Sequence, residues 1–319
     1  MLDMVQPAAG GPYWPRPGGG PLNIAVGLSR LGHETQLLAR LSTGTLGSPV
    51  RQYAESNGLD LSAVVDTDDL TSLAFATIDD DGKAAYTFYV EGTADWGWTS
   101  EELSSLSPAV RVLHAGSLAT VVEPGATAIV ELVQQLRATA GTLISFDPNI
   151  RSGLAGEHAA AVSRTERLVS LSHVVKASHE DVAWLYPGAD VDTVLDRWLG
   201  LGPSLVVMTM GSAGCRAVTG TGHRLGMSGV RVDVVDTIGA GDAFVSGLLS
   251  ALAGAAATTP ATLATIDLST TRRVLEQANL VAAMTCQRQG ADPPTQAELQ
   301  AVRSQSTPGR SPRNDARPR

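Results

Sequence analysis

The strongest constraint on the fold is an alternation through the middle of the chain. From Arg111 onward, short apolar runs of strand length alternate with longer segments of helical period. The pattern predicts strands over 112–115, 143–146, 173–176 and 205–209, separated by helices over 126–139, 157–170, 180–185 and 191–199. Strand, crossover and strand again in this order force right-handed connections and a parallel sheet covered on both faces. The expected class is α/β, a three-layer α/β/α arrangement with a mostly parallel central sheet. Ligands in such sheets collect at the carboxyl ends of the strands. A length of 319 residues admits two domains but equally suits one α/β domain.

The most specific segment is Val235-Asp236-Thr237-Ile238-Gly239-Ala240-Gly241-Asp242-Ala243-Phe244. It follows an alternating, strand-like run over 230–234 and opens an apolar helical segment over 243–253. At a helix start, successive backbone N–H groups point outward unpaired and the helix dipole favours an anion. Gly239 and Gly241 carry no Cβ, so an anion can approach the backbone. A carboxylate at Asp242 would repel a phosphate unless it has its own task, and taking a proton from an attacking hydroxyl is such a task. The bare Gly-x-Gly alone reads as an ordinary helix start with an N-cap aspartate. It is the full string that points to chemistry.

Other segments carry weaker signals. Met1 to Val5 read as the end of a strand, followed by a Pro/Gly-rich loop over 7–17. In Pro17-Gly18-Gly19-Gly20-Pro21-Leu22-Asn23-Ile24-Ala25, Pro21 suits the first position of a helix that Ile24, Leu28 and Leu31 continue and Gly32 closes. A strand is expected over 34–41 and a helix over 49–57. Two Thr/Phe/Tyr-rich strands over 71–78 and 84–90 flank Asp79-Asp80-Asp81-Gly82, a hairpin turn. Trp96 and Trp98 follow, better suited to packing than to stacking on a ligand. Asp147-Pro148-Asn149-Ile150-Arg151 stands at a strand end, where Arg151 is either an anion clamp or half of a turn-stabilising ion pair. Lys176-Ala177-Ser178-His179-Glu180-Asp181 contains a capping box, Ser178 with Asp181 three residues on. Thr209-Met210-Gly211-Ser212-Ala213-Gly214 reads as a turn after a strand, and Asn279 lies on a late helix ended by Gly290.

Together these segments resemble the ribokinase-like (pfkB) carbohydrate kinases in their fructokinase-like form, from Asp3 to about Pro294. The resemblance implies a ribokinase-like fold with a small β lid over about 71–98. It implies Asp242 as catalytic base with Gly239, Ala240 and Gly241 as the anion hole. Asp3, Gly19, Gly20, Asn23 and Arg151 fall at its sugar-binding positions. Lys176, Ser178, Thr209, Gly211, Gly214 and Asn279 fall at nucleotide-side positions, and Asp181 or Glu180 would organise Mg²⁺ through water. ATP and Mg²⁺ are the implied cofactors, with room for a monovalent cation such as K⁺, and a homodimer paired through the lid is an implied assembly.

Two departures stand out. Ser42-Thr43-Gly44-Thr45-Leu46-Gly47 replaces an acidic family segment, and the residues that precede the Asp3 position in the family are absent. The expectation is a chain that begins late and lacks a central-sheet strand. One kinase domain over 1–302 and a disordered basic tail over 303–319 are expected. The expected activity is transfer of the γ-phosphoryl of ATP to a sugar hydroxyl, fructose first, with 2-keto-3-deoxygluconate kinase or ribokinase as rivals. A sugar-binding protein without catalysis is the alternative from another class, and an intact Asp242 argues against it.

Competing chemistries lack their signatures. The two lysines, Lys83 and Lys176, lie outside any Walker A loop, and neither G-x-S-x-G nor H-E-x-x-H occurs. Cys215 and Cys286 match no C-x-x-C spacing, which suits a reducing cytoplasm. The first residues do not read as a signal peptide, no run of about 18 apolar residues suggests a membrane span, and a net charge of −9 argues against a nucleic-acid partner.

Overall fold

Three sheets carry the chain in the computed structural model, which describes residues 1–6, 11–78, 84–107, 109–139 and 141–306. The largest has the order β12-β11-β10-β9-β8-β7. Its strands are β7 (Val112–Gly116), β8 (Leu143–Asp147), β9 (Val174–Ser178), β10 (Leu205–Thr209), β11 (Cys215–Thr219) and β12 (Arg224–Met227). β7 through β10 run parallel, and β11 and β12 add antiparallel. The crossovers are α3 (Gly125–Thr139), α4 (His158–Leu171), then α5 (His179–Leu185) with α6 (Val191–Gly200). Every residue of β8 is buried, the expected state of a parallel strand covered on both faces. An acceptor side chain starts each of α4, α5 and α6: Glu157, Ser178 and Asp190 take the first free backbone N–H groups.

The second sheet, of order β2-β1-β5-β6, is the lid. It comprises β1 (Leu2–Val5), β2 (Trp14–Pro17), β5 (Leu73–Ile78) and β6 (Ala84–Tyr89). β5 and β6 pair antiparallel from Ile78↔Ala84; the turn expected at Asp79 to Gly82 lies outside the described residues. A third, two-stranded sheet joins β3 (Ala39–Ser42) to β4 (Val64–Thr67). β3 is shorter than expected because upstream only Gln36 makes a ladder contact, an isolated bridge to Asp60. The remaining helices are α1 (Gly20–Arg30), α2 (Gly47–Ser56), α7 (Ala240–Gly254), α8 (Pro260–Ala264), α9 (Leu268–Cys286) and α10 (Gln296–Ser306).

α7 is apolar on nearly all sides because α1, α9 and the large sheet surround it. Phe244, Val245, Leu248 and Leu252 are buried there, each large side chain contributing about 2 kcal/mol. Glycines set the helix separations: a Cβ on Gly247 would stand 3.0 Å from Ala278 Cα, and one on Gly27 2.4 Å from Ser246 Oγ. α7 is therefore held rigidly, and its N-terminus with it.

The edge strands β3 and β7 both line a mostly apolar cavity of about 580 Å³, together with Met1, Gly18 and Gly19. Asp242, Asn23 and Arg151 do not line it, so this cavity is not the place where the glycine motifs meet.

Several expectations need correction. The run over 230–234 is not a strand: Val230, Val234 and Val235 are exposed, and among the described residues no neighbouring strand offers a ladder. Its tie to the body comes just beyond it, where the N–H groups of Val235 and Asp236 donate to Cys286 O. Helix α10 also runs past the expected boundary at 302. Arg303 sits in α10 and donates to Gln277 Oε1 at 2.7 Å; residues 307–319 lie outside the described part. Trp96 and Trp98 are buried among apolar neighbours, as packing requires. Among the described residues no helix is long and apolar enough to cross a membrane.

Candidate active site

The site is built on the N-terminus of α7. Gly239 caps it in the left-handed region, φ 75°, and a Cβ there would stand 2.5 Å from Ala291 Cβ. Asp236 shapes the approach, accepting from Ile238 N at 3.0 Å and Gly290 N at 2.8 Å. The N–H of Ala240 donates to Thr237 O at 3.2 Å, so this member of the expected anion hole is already engaged. Among the described residues the N–H groups of Gly239, Gly241 and Asp242 have no protein partner, as a helix start leaves them.

The first glycine segment converges on this turn. Asn23 Nδ2, on α1, donates to Asp242 Oδ2 at 2.8 Å across 219 residues of sequence. Among the described residues the buried Asn23 Oδ1 has no partner, which leaves it free to accept from a hydroxyl. A Cβ on Gly20 would lie 3.2 Å from Asp242 Oδ1 and 3.3 Å from Asn149 Nδ2, which places the Asp147-Pro148-Asn149 turn at the same spot. Gly19 takes φ 103°, and a Cβ on Gly18 would meet Asp3 Oδ2 at 2.0 Å. The glycines thus let Asp3 approach the backbone just before α1 at Gly18 and Asp242 approach its first residue, Gly20.

Burial raises the Asp242 carboxyl above the usual carboxylate range, against the pull of the Asn23 hydrogen bond, Lys176 and Arg151. Asp3 is pushed up to about 6 by burial, with the N-terminal ammonium and Arg151 lowering it and Asp242 raising it. Arg151 is exposed at the rim, within electrostatic reach of both carboxylates. Among the described residues it forms no ion pair, so the turn-stabilising reading finds no partner.

Two residues of this group were not singled out from sequence. Tyr86 lies on the lid face shared by Asp3, and its phenol is raised by burial, with Arg151, Asp3 and Asp236 all acting on it. The alternation of the 84–90 strand, continued onto Asp3 by register, was the available signal. Asn149 has φ 38°, a strained backbone for a non-glycine, of the kind that gathers at functional sites.

The remaining candidates line the ends of β9 and β10. Ser178 and Asp181 form the expected capping box; Asp181 Oδ2 accepts from Ser178 N at 2.8 Å and Oδ1 from Ile150 N at 2.7 Å. Its carboxylate is therefore engaged with protein donors, whereas Glu180 beside it is exposed. Among the described residues no three His, Cys, Asp or Glu side chains converge as a metal cage. This donor set fits Mg²⁺ held through water, not by direct ligation. Thr209 Oγ1 donates to Ala177 O at 3.3 Å, Gly211 and Gly214 take positive φ, and Asn279 Nδ2 approaches Cys215 Sγ at 3.5 Å. Lys176, expected on the nucleotide side, is buried, with Nζ on Asp147 Oδ2 at 2.8 Å, beneath the turn that carries Asn149.

Comparison with known proteins identifies the family. Residues 6–298 match the profile of the pfkB family carbohydrate kinase. The chain is 32% identical over 292 residues to probable fructokinase-4 of Arabidopsis thaliana, covering 90% of this chain and 87% of that protein. It is 32% identical over 240 residues to a fructokinase of Rhizobium leguminosarum bv. trifolii, covering 75% and 72% respectively. A crystal structure of fructokinase with bound ATP from Xylella fastidiosa superposes with TM-score 0.86 at 27% identity, covering 96% of both chains. The fructose, ADP and calcium ion bound form of fructokinase from Vibrio cholerae O395 superposes with TM-score 0.81 at 28% identity, over 94% of this chain and 95% of that one. The chain belongs to the pfkB family of carbohydrate kinases.

Proposed function

We propose that this enzyme is an ATP-dependent fructokinase in which Asp242 is the general base. The observation that carries the reading is the Asn23–Asp242 hydrogen bond at 2.8 Å, which sets a carboxylate with raised proton affinity beside unpaired N–H groups at one helix start. The sugar lies under the lid, held by Asp3, the Gly19-Gly20 backbone, Asn23 and Arg151. Asp242 accepts the proton of the attacking hydroxyl, and the N–H groups of Gly239 and Gly241 hold the charge of the transferring phosphoryl. ATP approaches from the ends of β9 and β10, bounded by Ser178, Thr209, Gly211, Gly214 and Asn279. Mg²⁺ would neutralise phosphate charge, with Glu180 and Asp181 beyond its water shell; a monovalent cation such as K⁺ completes the proposed cofactor set. Omitting either ion from the assay measures its part. ADP release across fructose, ribose, 2-keto-3-deoxygluconate and adenosine tests the substrate, with fructose expected to give the highest kcat/KM. Sugar binding without ADP release from any of the four would favour the non-catalytic reading instead.

The raised carboxylates set a pH dependence. A base with raised proton affinity is ionised above its folded pKa and lost as pH falls through it. With Asp3 at about 6 and Asp242 also raised, kcat/KM should decline below about pH 6, where ordinary carboxylates would hold to about 4. The same groups bind protons more tightly folded than unfolded, so their contribution to stability is largest in acid and falls as pH rises through the folded value. A pH profile of kcat/KM that stays flat to pH 4.5 contradicts this.

The outer lid face carries Tyr13, Phe75 and Tyr89 in edge-to-face contact, with Tyr89 59% exposed. This aromatic patch supports pairing with a second copy, which light scattering on the purified protein measures.

A further inference from the structure

We propose that Lys176 is a positioning residue for phosphoryl transfer, a fixed cation under the first turn of α7 that keeps Asp242 ionised while an anionic phosphoryl group is held beside it. This inference rests on Asp242 being the base.

Lys176 stands on β9, 4% exposed, and Asp147 on the end of β8, 2% exposed. Their contact at 2.8 Å ties two neighbouring parallel strands. A Cβ on Gly241 would come within 3.3 Å of Lys176 Nζ, so the ammonium lies directly against the turn that bears Asp242. Asp147 does more than neutralise it. Its other oxygen accepts from Asn149 N at 3.1 Å, so the lysine, the aspartate and the turn carrying Asn149 and Arg151 form one unit. Asp181 of α5 adds a second carboxylate within electrostatic reach, and Asp242 a third. One buried cation therefore serves three carboxylates from three elements.

The surroundings of Asp242 show why its charge matters. Asn23 of α1 donates to Asp242; Arg151 lies at the rim and Lys176 below, both cationic; Asp3 of β1 and Asp147 of β8 repel it. The site must hold a carboxylate and a phosphoryl group close together at the first turn of α7, where like charges repel. Arg151 is exposed and screened, so the steady part of the compensation falls to Lys176. A merely structural role is a weaker account, because a buried ion pair returns little net stability against an apolar pair of the same shape.

The test compares Lys176→Met, Lys176→Arg and Asp147→Asn by the pH profile of kcat at saturating sugar and MgATP. The Asp242 carboxyl titration is read in parallel, as the infrared difference between each protein and its Asp242→Asn counterpart, a readout that needs no turnover. Lys176→Met should lower kcat by roughly tenfold or more, leave KM for the sugar nearly unchanged and move the Asp242 titration to higher pH. Asp147→Asn removes a negative neighbour and leaves the lysine, so the titration should move to lower pH. Lys176→Arg keeps the charge and should recover part of kcat. An Asp242 titration that stays put in Lys176→Met, or moves the same way in both variants, overturns the proposal. Should Lys176→Met fail to fold, the downward movement in Asp147→Asn decides alone, and its absence is fatal. A titration that moves as expected in a protein that phosphorylates no sugar supports the electrostatic arrangement and removes the kinase reading, so the two failures are separable.

Discussion

Asp242→Asn should reduce turnover by about 10²- to 10⁴-fold while both substrates still bind. The substitution keeps the shape of the side chain and removes its basicity and negative charge. Its amide oxygen can still accept from Asn23 Nδ2, the bond that holds Asp242 Oδ2 at 2.8 Å. Loss of the negative charge beside the N–H groups of Gly239 and Gly241 removes a repulsion toward phosphate, so ATP should bind equally well or more tightly. The expected pattern is a fall in kcat with little rise in either KM, the mark of an interaction made in the transition state. ADP release with calorimetric titration of sugar and nucleotide measures both sides. Turnover within a few-fold of wild type would discard Asp242 as base, whatever the binding data showed.

Much of the frame was legible because its causes are local or strongly periodic. β8, β9 and β10 are buried along nearly their whole length, so each opens on a short apolar run of strand length, and the helices between them begin at acceptor side chains that a sequence displays openly. Ser178 with Asp181 is the plainest example, a capping box visible as a spacing and found as one. The run over 230–234 shows the limit. Alternation describes a strand's surface, but a strand also needs a neighbour to complete its ladder, and among the described residues none is beside it. The site divides in the same way. Asp3, Asn23, Gly239 and Asp242 sit in short glycine-bearing strings whose local geometry announces itself. Tyr86 enters through the register of β6 on β5 and β5 on β1, a long-range fact. Lys176 was assigned to the nucleotide because its segment suggested it; its partner Asp147 is 29 residues away on the adjacent strand, and only their pairing reveals a buried cation.

Gly239→Ala should damage both activity and fold, lowering kcat/KM by roughly 10²-fold and the melting temperature by about 4–8 °C. Two effects add. The backbone at φ 75° is left-handed, which costs a residue with a Cβ about 1–2 kcal/mol. The new carbon would also stand 2.5 Å from Ala291 Cβ and 2.8 Å from Ala291 Cα. That neighbour cannot easily retreat: Gly290 N is bound to Asp236 Oδ2 at 2.8 Å, and Asp292 is ion-paired with Arg30 and Arg288. The displacement therefore falls on the start of α7, where the unpaired N–H groups and Asp242 must keep their aim at the transferring group. Gly241→Ala is the internal control for stability. Its backbone is helical, and the added carbon meets only the end of the Lys176 side chain at 3.3 Å, so its melting temperature should stay nearer wild type. Calorimetric melting and ADP-release kinetics on the two variants give the comparison. Equal melting temperatures and wild-type kinetics for Gly239→Ala would mean that this turn is neither as rigid nor as close to the reacting phosphoryl as the geometry requires.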